Sequence, residues 1–171
     1  MDEYRLLIPA KGNSRRAPGK NVELLPFTLD YVDQLGLMSR CWVMTECEHL
    51  ANMAQQRGAQ ILWEEQVGND FGSNFTRSYV KAGWEDQQVV VLLEPTKPFR
   101  QKWLVEACLA AHKLTGKAVT TGLNEPVTFI EWDGCEAIRR AGIKVLDGCV
   151  IIAKCLDFRN AVNMGDFWAR Q

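Results

Sequence analysis

The sequence predicts an α/β fold, a single domain with a doubly wound, mostly parallel sheet built from βαβ units. Short apolar runs typical of strands alternate along the chain with segments of helical spacing. The run VVVLLE at 89–94 is apolar up to its last residue, as expected of a strand buried on both faces of a parallel sheet. No linker, repeat or low-complexity tract divides the 171 residues, so one domain over 1–171 is predicted.

Four strands and four helices alternate over the first two thirds of the chain. The strands are apolar runs and are predicted at 5–9, 41–45, 59–63 and 89–94. The helices have amphipathic spacing and are predicted at 28–36, 46–58, 73–83 and 102–114. Gly36 closes the first helix, and Ser73 or Asn74 is the expected N-cap of the third. Each strand–helix–strand step is the crossover that joins parallel strands.

The alternation changes after residue 116. A fifth strand is predicted at 117–123. Short pieces of antiparallel character follow at 127–132, 136–140 and 143–146. A strong apolar strand is predicted at 149–153, and the tail 154–171 is expected to hold one short helix. The last third of the chain therefore departs from the strict βαβ order.

Positive charge is concentrated near the start of the chain. The formal net charge is −1, which argues against a protein that coats nucleic acid, and no nucleic-acid partner is predicted. Four cations nevertheless lie within residues 11–20, namely Lys11, Arg15, Arg16 and Lys20. A local cluster of this kind suits one anionic ligand better than a long polyanion.

The cysteines and the apolar runs predict a cytoplasmic protein. The six cysteines form no Cys-x-x-Cys pair and lie mostly in apolar surroundings, as expected of reduced core residues. Asp2 and Glu3 stand where a signal peptide would carry basic residues, so no signal peptide is predicted. The longest apolar runs are far shorter than the roughly 20 residues that span a bilayer, and no membrane contact is expected.

The segment IPAKGNSRRAPGKN at 8–21 follows the first strand but matches neither standard phosphate-binding loop. A Walker A loop needs Gly-x-x-x-x-Gly-Lys-Ser/Thr, whereas Ser14 stands at the first glycine position and Asn21 follows the lysine. The Rossmann pattern Gly-x-Gly-x-x-Gly is absent as well. The position still suits a ligand, because ligands of open α/β sheets lie at the carboxyl ends of strands.

The same segment has the chemistry of an anion site. Consecutive backbone N–H groups can point at phosphate oxygens, here those of Gly12, Asn13 and Ser14. The planar guanidinium of Arg15 can hold two oxygens, while Lys11 and Lys20 act as point charges. The alternative is a solvated basic loop, to which Arg16 would be the first to belong.

The segment also resembles the opening signature of the cytidylyltransferases that activate acidic sugars, the CMP-sialic acid synthetases and their CMP-Kdo relatives. Their pattern is a strand followed by Ala-Arg-x-x-Ser-Lys/Arg-x-x-Pro-x-Lys-Asn. Lys11 takes the place of the family's arginine. The resemblance implies nucleotide-binding positions at Ala10, Gly12, Asn13, Ser14 and Asn21, and catalytic cations at Lys11, Arg15 and Lys20.

Four further stretches are similar to family motifs and follow in the family's order. They are VMTECEHLANMAQQRGAQI at 43–61, VGNDFGSN at 67–74, LLEPTKPFR at 92–100 and DGCVIIAK at 147–154. Glu46 stands where the first of these has aspartate in the family. Each motif alone is a weak signal, whereas five in order over residues 8–154 are specific.

The resemblance implies a nucleotide-diphospho-sugar transferase-like fold and the transfer of CMP from CTP to a sugar or sugar-acid hydroxyl, with release of pyrophosphate. Mg²⁺ is the implied cofactor, and CTP, a small sugar-like acceptor and a second copy of the chain are the implied partners. Asp70 and Ser73 would lie near the nucleoside, although helix capping alone is the alternative. Substrate-binding residues are expected at Glu94, Thr96 and Arg100.

Two departures from the family pattern bear on metal and acceptor. The late Asp-x-Asp pair that binds magnesium in the sialic acid enzymes has no counterpart, because Asp157 and Asp166 lack its spacing. Glu94 replaces a glutamine, and would either bind magnesium or pair with Lys97, which predicts an acceptor other than sialic acid. Two alternatives stay open: a catalytically inactive nucleotide-binding protein, or a nucleotidyltransferase with another base or acceptor.

Overall fold

The computed structural model describes residues 3–14, 18–68, 71–96, 100–116, 118–121, 129–131 and 150–160. The strands are β1 Tyr4–Pro9, β2 Cys41–Thr45, β3 Gln60–Trp63, β4 Val89–Leu93, β5 Val119–Thr121, β6 Phe129–Glu131 and β7 Val150–Lys154. The helices are α1 Lys20–Gln34, α2 Glu48–Gln56, α3 Phe71–Lys81, α4 Leu104–Thr115 and α5 Cys155–Asn160, and a 3₁₀ turn spans Met38–Arg40. The predicted pieces at 136–140 and 143–146 lie outside the described residues.

The described strands form one sheet in the order β3-β2-β1-β4-β7-β5-β6. Strand β1 is parallel to both of its neighbours, β2 and β4, and β2 is parallel to β3. Strand β7 lies antiparallel between β4 and β5, and β6 is antiparallel to β5. Strands β1 to β5 therefore point in one direction, which confirms a mostly parallel sheet with an antiparallel addition late in the chain.

The helices cover both faces of the sheet, so the doubly wound arrangement is confirmed. Leu6 and Ile8 of β1 pack on one face with residues of α1, α2 and α4. Leu7 packs on the opposite face with residues of α3 and α5. Burial on two faces explains the unbroken apolar runs, since the side chains of a strand alternate between faces.

Helix α1 begins at Lys20, eight residues before the predicted start at residue 28. Gly19 precedes it with φ of 79°, a left-handed conformation that glycine adopts without strain. The helix buries Leu25, Leu29 and Val32, which are spaced by four and three residues. The sequence hid this start, because Pro26 lies inside the helix and a proline usually marks a helix boundary.

Helix α3 begins at Phe71, so the prediction that Ser73 or Asn74 caps it is wrong. Both residues lie inside the helix. The side-chain oxygen Oδ1 of Asn74 instead accepts hydrogen bonds from the backbone N–H groups of Val67 and Gly68, each at 3.0 Å. The side chain thus satisfies donors of the preceding loop instead of those at the helix start.

Among the described cysteines, Cys41, Cys47 and Cys155 are free thiols. Burial raises the pKa of Cys41 and of Cys155 to about 12, so both thiols stay protonated at neutral pH. Within the described ranges, no helix has the length and apolar character needed to cross a bilayer.

Candidate functional site

Charged residues follow four neighbouring strands where their carboxyl ends meet at one edge of the sheet. In the order of the strands β3, β2, β1 and β4, they are Glu64, Glu46, Lys11 and Glu94. This edge is where ligands of open α/β sheets bind. The segment that begins at residue 8 therefore lies where the sequence predicted a ligand.

The loop after β1 is fixed to its neighbours by its backbone. Ala10 is fully buried, and its N–H donates to the carbonyl oxygen of Met44 at 2.8 Å. The carbonyl oxygen of Lys11 accepts from the buried side-chain amide of Asn21 at 2.7 Å. Asn21 lies in the first turn of α1, so β2 and α1 hold the loop from both sides.

Glu46 binds the same loop through its carboxylate. Its Oε1 accepts from the N–H of Gly12 at 2.9 Å and from the N–H of Asn13 at 3.2 Å. A Cβ atom at residue 12 would lie only 2.5 Å from Cys47 Cβ, which explains the glycine by close approach. The sequence predicted these two N–H groups as phosphate donors; in the structure they bind a carboxylate of the chain itself.

Lys11 lies beside a buried carboxyl group. Its Nζ is 3.4 Å from Glu64 Oε1, and the Glu64 side chain is only 1% exposed, against 40% for Lys11. Burial raises the pKa of Glu64, and the nearby Glu46 raises it further. The charge of Lys11 and a 2.9 Å hydrogen bond from the Asn74 side-chain amide oppose this rise. Lys11 therefore stabilises the ionised form of the Glu64 carboxyl group.

Asn74 and Ser78 fix the loop after β3 to α3. Besides binding the N–H groups of Val67 and Gly68, Asn74 is fully buried against Glu64. The hydroxyl of Ser78 accepts from the N–H of Glu65 at 2.8 Å. The loop and helix form one unit, on which the predicted nucleoside residue Ser73 is exposed. Asp70 lies outside the described residues.

The predicted substrate residues come together at the end of β4. The Arg100 guanidinium donates to the backbone carbonyl of Glu94 and lies 5.8 Å from the Tyr31 ring centroid. Thr96 is exposed, with its hydroxyl 3.5 Å from Glu94 Oε2. Burial raises the pKa of Tyr31 to about 12, and the charge of Arg100 opposes the rise. Lys97 lies outside the described residues, so the Glu94–Lys97 pair stays a prediction.

The remaining predicted residues lie at the start of α1 or beyond the described chain. Lys20 is the first residue of α1, and Ser14 is half-buried before it. Arg15 lies outside the described residues. The first turn of a helix carries partial positive charge from its unpaired N–H groups, which adds to the charge of Lys20.

Carboxylates at this edge are candidates for one or two magnesium ligands. No group of three or more His, Cys, Asp or Glu residues that could hold a metal occurs in the part of the chain that the structure describes. Mg²⁺ in nucleotide sites takes one or two carboxylates and completes its ligands from phosphates and water. The half-buried Glu94 suits one such position. Oε2 of Glu46 and of Glu64 suits another, because neither atom has a hydrogen-bond partner among the described residues.

Sequence reasoning missed the roles of Glu46, Glu64 and Asn74. Glu46 was noted only as a replacement of the family's aspartate, and Asn74 was placed as a helix cap. The sequence position of Glu64 could have indicated its role, because it directly follows a strand of a parallel sheet. Such a residue lies at the edge where the carboxyl ends of the strands meet and ligands bind, here called the ligand edge.

Comparison with known proteins finds a curated relative of this chain. No protein-family model matches the chain. The CMP-N,N'-diacetyllegionaminic acid synthase of Legionella pneumophila is 32% identical over 129 residues, which cover 67% of this chain and 55% of that protein. This match and the five motifs support the resemblance to the CMP-sialic acid and CMP-Kdo synthetases. It spans about half (55%) of the length of this curated relative.

Solved cytidylyltransferases share the fold of the chain. A CMP:2-keto-3-deoxy-manno-octonic acid synthetase, solved with CTP, has a TM-score of 0.61 at 14% identity and covers 95% of this chain and 78% of its own. A 4-diphosphocytidyl-2C-methyl-D-erythritol synthase has a TM-score of 0.61 at 12% identity, with coverage of 99% and 83%. A cytidylyltransferase from Leptospira borgpetersenii has a TM-score of 0.57 at 15% identity, with coverage of 82% and 65%. The predicted nucleotide-diphospho-sugar transferase-like fold is confirmed.

Proposed function

We propose that the chain transfers CMP from CTP to the hydroxyl group of a small sugar or sugar acid and releases pyrophosphate. One observation carries the proposal. Strands β1 and β4 are parallel neighbours, with Leu7 opposite Leu92. Residues 10–14, in the predicted nucleotide segment, therefore follow β1 next to residues 94–96, in the predicted substrate segment, which follow β4. Adjacent nucleotide and acceptor sites are what a direct transfer between two bound substrates requires.

In the proposed reaction, the acceptor oxygen forms a bond to the α-phosphorus of CTP, and the bond from that phosphorus to the bridging oxygen of pyrophosphate breaks. Negative charge on the phosphate oxygens must be met by groups already in place. Lys11, Arg15 and Lys20 supply positive charge from the chain. A bound Mg²⁺ would neutralise further phosphate charge, with Glu94 as its ligand from the protein.

The chain's other site residues bind and orient the substrates in this proposal. Ser73 contacts the nucleoside from the first turn of α3, whose position Asn74 fixes, and Asp70 is assigned the same role from the sequence. Glu94 and Thr96 face the acceptor from the end of β4. Arg100 is 8% exposed and donates to the backbone of Glu94, which supports a role in holding this strand end in shape.

Location and assembly belong to the same proposal. The substrates are CTP and a sugar-like acceptor, the assembly is a homodimer, and neither nucleic acid nor membrane is a partner. The free thiols of Cys41, Cys47 and Cys155 suit the reducing cytoplasm. The formal net charge of −1 disfavours general binding to polyanions.

Calorimetric titration tests the nucleotide part directly. CTP, UTP, ATP and GTP are each titrated with and without Mg²⁺ into the wild-type protein and into Lys20→Ala. We expect Mg²⁺-dependent binding selective for CTP, weakened by the substitution because a cation near the phosphates is lost. Pyrophosphate release is then measured with CTP and a panel of acidic sugars. Absence of binding to every nucleotide would contradict the proposal.

A further inference from the structure

We infer that Glu46 is a positioning residue, whose carboxylate fixes the shape of the loop 10–14. The N–H groups of Gly12 and Asn13 bind this carboxylate, and the triphosphate is bound by side chains. The part of this inference that concerns the triphosphate rests on the proposed function. The part that concerns the loop stands on the geometry alone.

One carboxylate oxygen accepts both hydrogen bonds. Glu46 Oε1 lies 2.9 Å from the nitrogen of Gly12 and 3.2 Å from that of Asn13. Two consecutive N–H groups converging on one anion is the geometry in which a backbone nest binds a phosphate oxygen. Here the anion comes from a residue 34 positions further along the chain than Gly12.

The turn after β2 presents Glu46 to the loop at close range. The Thr45 hydroxyl is buried and accepts from the N–H of Cys47 at 3.1 Å, which fixes the turn on the far side of Glu46. Glycine at position 12 lets the loop approach, since an added Cβ would lie 3.4 Å from Glu46 Oε1 and 2.9 Å from Cys47 Sγ. Turn and loop are therefore built to fit one another.

The remaining contacts of the loop are consistent with a fixed shape. The Ala10 N–H donates to the Met44 carbonyl, and the Lys11 carbonyl accepts from Asn21. Together with the two bonds to Glu46, these contacts occupy backbone groups at four consecutive residues, 10 to 13. A loop held in this way can position Lys11 and Ser14 before a nucleotide arrives, which reduces the ordering cost of binding.

The Glu46 carboxylate at this position costs free energy, which supports a role for its two hydrogen bonds to the loop. The Glu46 Oε2 atom is buried and has no hydrogen-bond partner among the described residues. The charges of the Glu46 and Glu64 carboxylates also repel each other, because the two groups lie close together. Burying an unpaired polar atom is unfavourable, and the two bonds to the loop offset that penalty.

Amide hydrogen exchange in the nucleotide-free protein tests the loop by NMR. In Glu46→Ala, we expect exchange at Gly12 and Asn13 to accelerate about tenfold or more, because both donors lose a charged acceptor. Glu46→Gln keeps an oxygen acceptor and should restore most of the protection. Glu48→Ala, an exposed residue at the start of α2, is the matched control. Unchanged exchange at both amides in Glu46→Ala would overturn the inference.

The wild-type protein offers a test that needs no variant. A scalar coupling across the hydrogen bond, from the Gly12 or Asn13 amide nitrogen to the Glu46 carboxyl carbon, is expected. Its absence at both amides under conditions where backbone couplings are detected would contradict the contact.

CTP titration separates this inference from the proposed function. If Glu46 positions the loop, Glu46→Ala should bind CTP about tenfold more weakly, with Glu46→Gln close to wild type. Tighter CTP binding by Glu46→Ala would mean that Glu46 competes with phosphate for the amides, which overturns the inference. If the wild-type protein does not bind CTP, the proposed function fails, while the exchange rates still decide the role of Glu46.

Discussion

The two sides of the ligand edge differ in how deeply their polar side chains are buried. At the ends of β1, β2 and β3, the carboxylates of Glu46 and Glu64 bind loop N–H groups, Lys11 and Asn74. At the end of β4, Glu94 is half-buried and Thr96 is exposed. On the first side, the contacts among these side chains and the loop are formed before any ligand binds. On the second side, polar groups are exposed to solvent. In the proposed reaction, this contrast separates a preorganised nucleotide side from an acceptor side that can vary.

The largest expected effect is on the preorganised side, from Asn74→Asp. The substitution puts a second carboxylate against buried Glu64 and removes the amide that donates to it. We expect a loss of about 3–5 kcal/mol in the free energy of unfolding at pH 7, as for an uncompensated buried charge. Urea denaturation measures it, with exposed Ser73→Ala as the control. A loss no larger than that of the control would show that Asn74 does not organise this side.

Gly12→Ala should have the next largest effect. The added methyl group would lie 2.5 Å from Cys47 Cβ, so the loop or the turn must move. We expect a loss of about 1–3 kcal/mol by urea denaturation, typical of overpacking. Cys47→Gly removes the opposing Cβ, so the double variant should be more stable than the sum of the two single effects predicts. Additive effects would place the strain elsewhere.

Lys11→Met should destabilise the protein by about 1 kcal/mol near neutral pH, a value kept small because the lysine is 40% exposed. The raised pKa of Glu64 means that the folded state favours its protonated form. The stability that comes from protonation is fully present below the unfolded value near 4.5 and is lost as pH rises through the folded pKa.

Lys11 limits that loss by favouring the charged carboxylate, so the effect of Lys11→Met should shrink as pH falls toward the unfolded pKa. Thermal unfolding at several pH values measures the trend. In a Glu64→Gln background, the effect of Lys11→Met on stability should no longer depend on pH, because the titrating group is gone. A penalty that is the same at all pH values would contradict the pairing of Lys11 with Glu64.

The smallest effect on stability is expected on the acceptor side, from Glu94→Gln. The change should alter the free energy of unfolding by less than about 0.5 kcal/mol, because the side chain is only half-buried. We expect acceptor preference in the pyrophosphate-release assay to change more than CTP affinity. Unchanged preference together with weaker CTP binding would place Glu94 on the nucleotide side.

Much of the fold was readable from the sequence because burial leaves a local signal. Strand β2 was predicted at 41–45 and observed at Cys41–Thr45, since a strand buried in a two-sided sheet is apolar throughout. Five motifs also led to the family that the legionaminic acid synthase match supports. The start of α1 was missed, because Pro26 lies inside this helix and a proline usually marks a helix boundary.

The sequence by itself determined which strands are buried, that the sheet is mostly parallel, and that the segment after β1 lies at its ligand edge. Only the tertiary structure decided what that segment binds within the chain. Gly12 meets Glu46 across 34 residues of sequence, and Lys11 meets Glu64 because β1, β2 and β3 lie side by side. Periodicity reports the burial of each element, whereas the pairing of charges depends on which strand ends become neighbours.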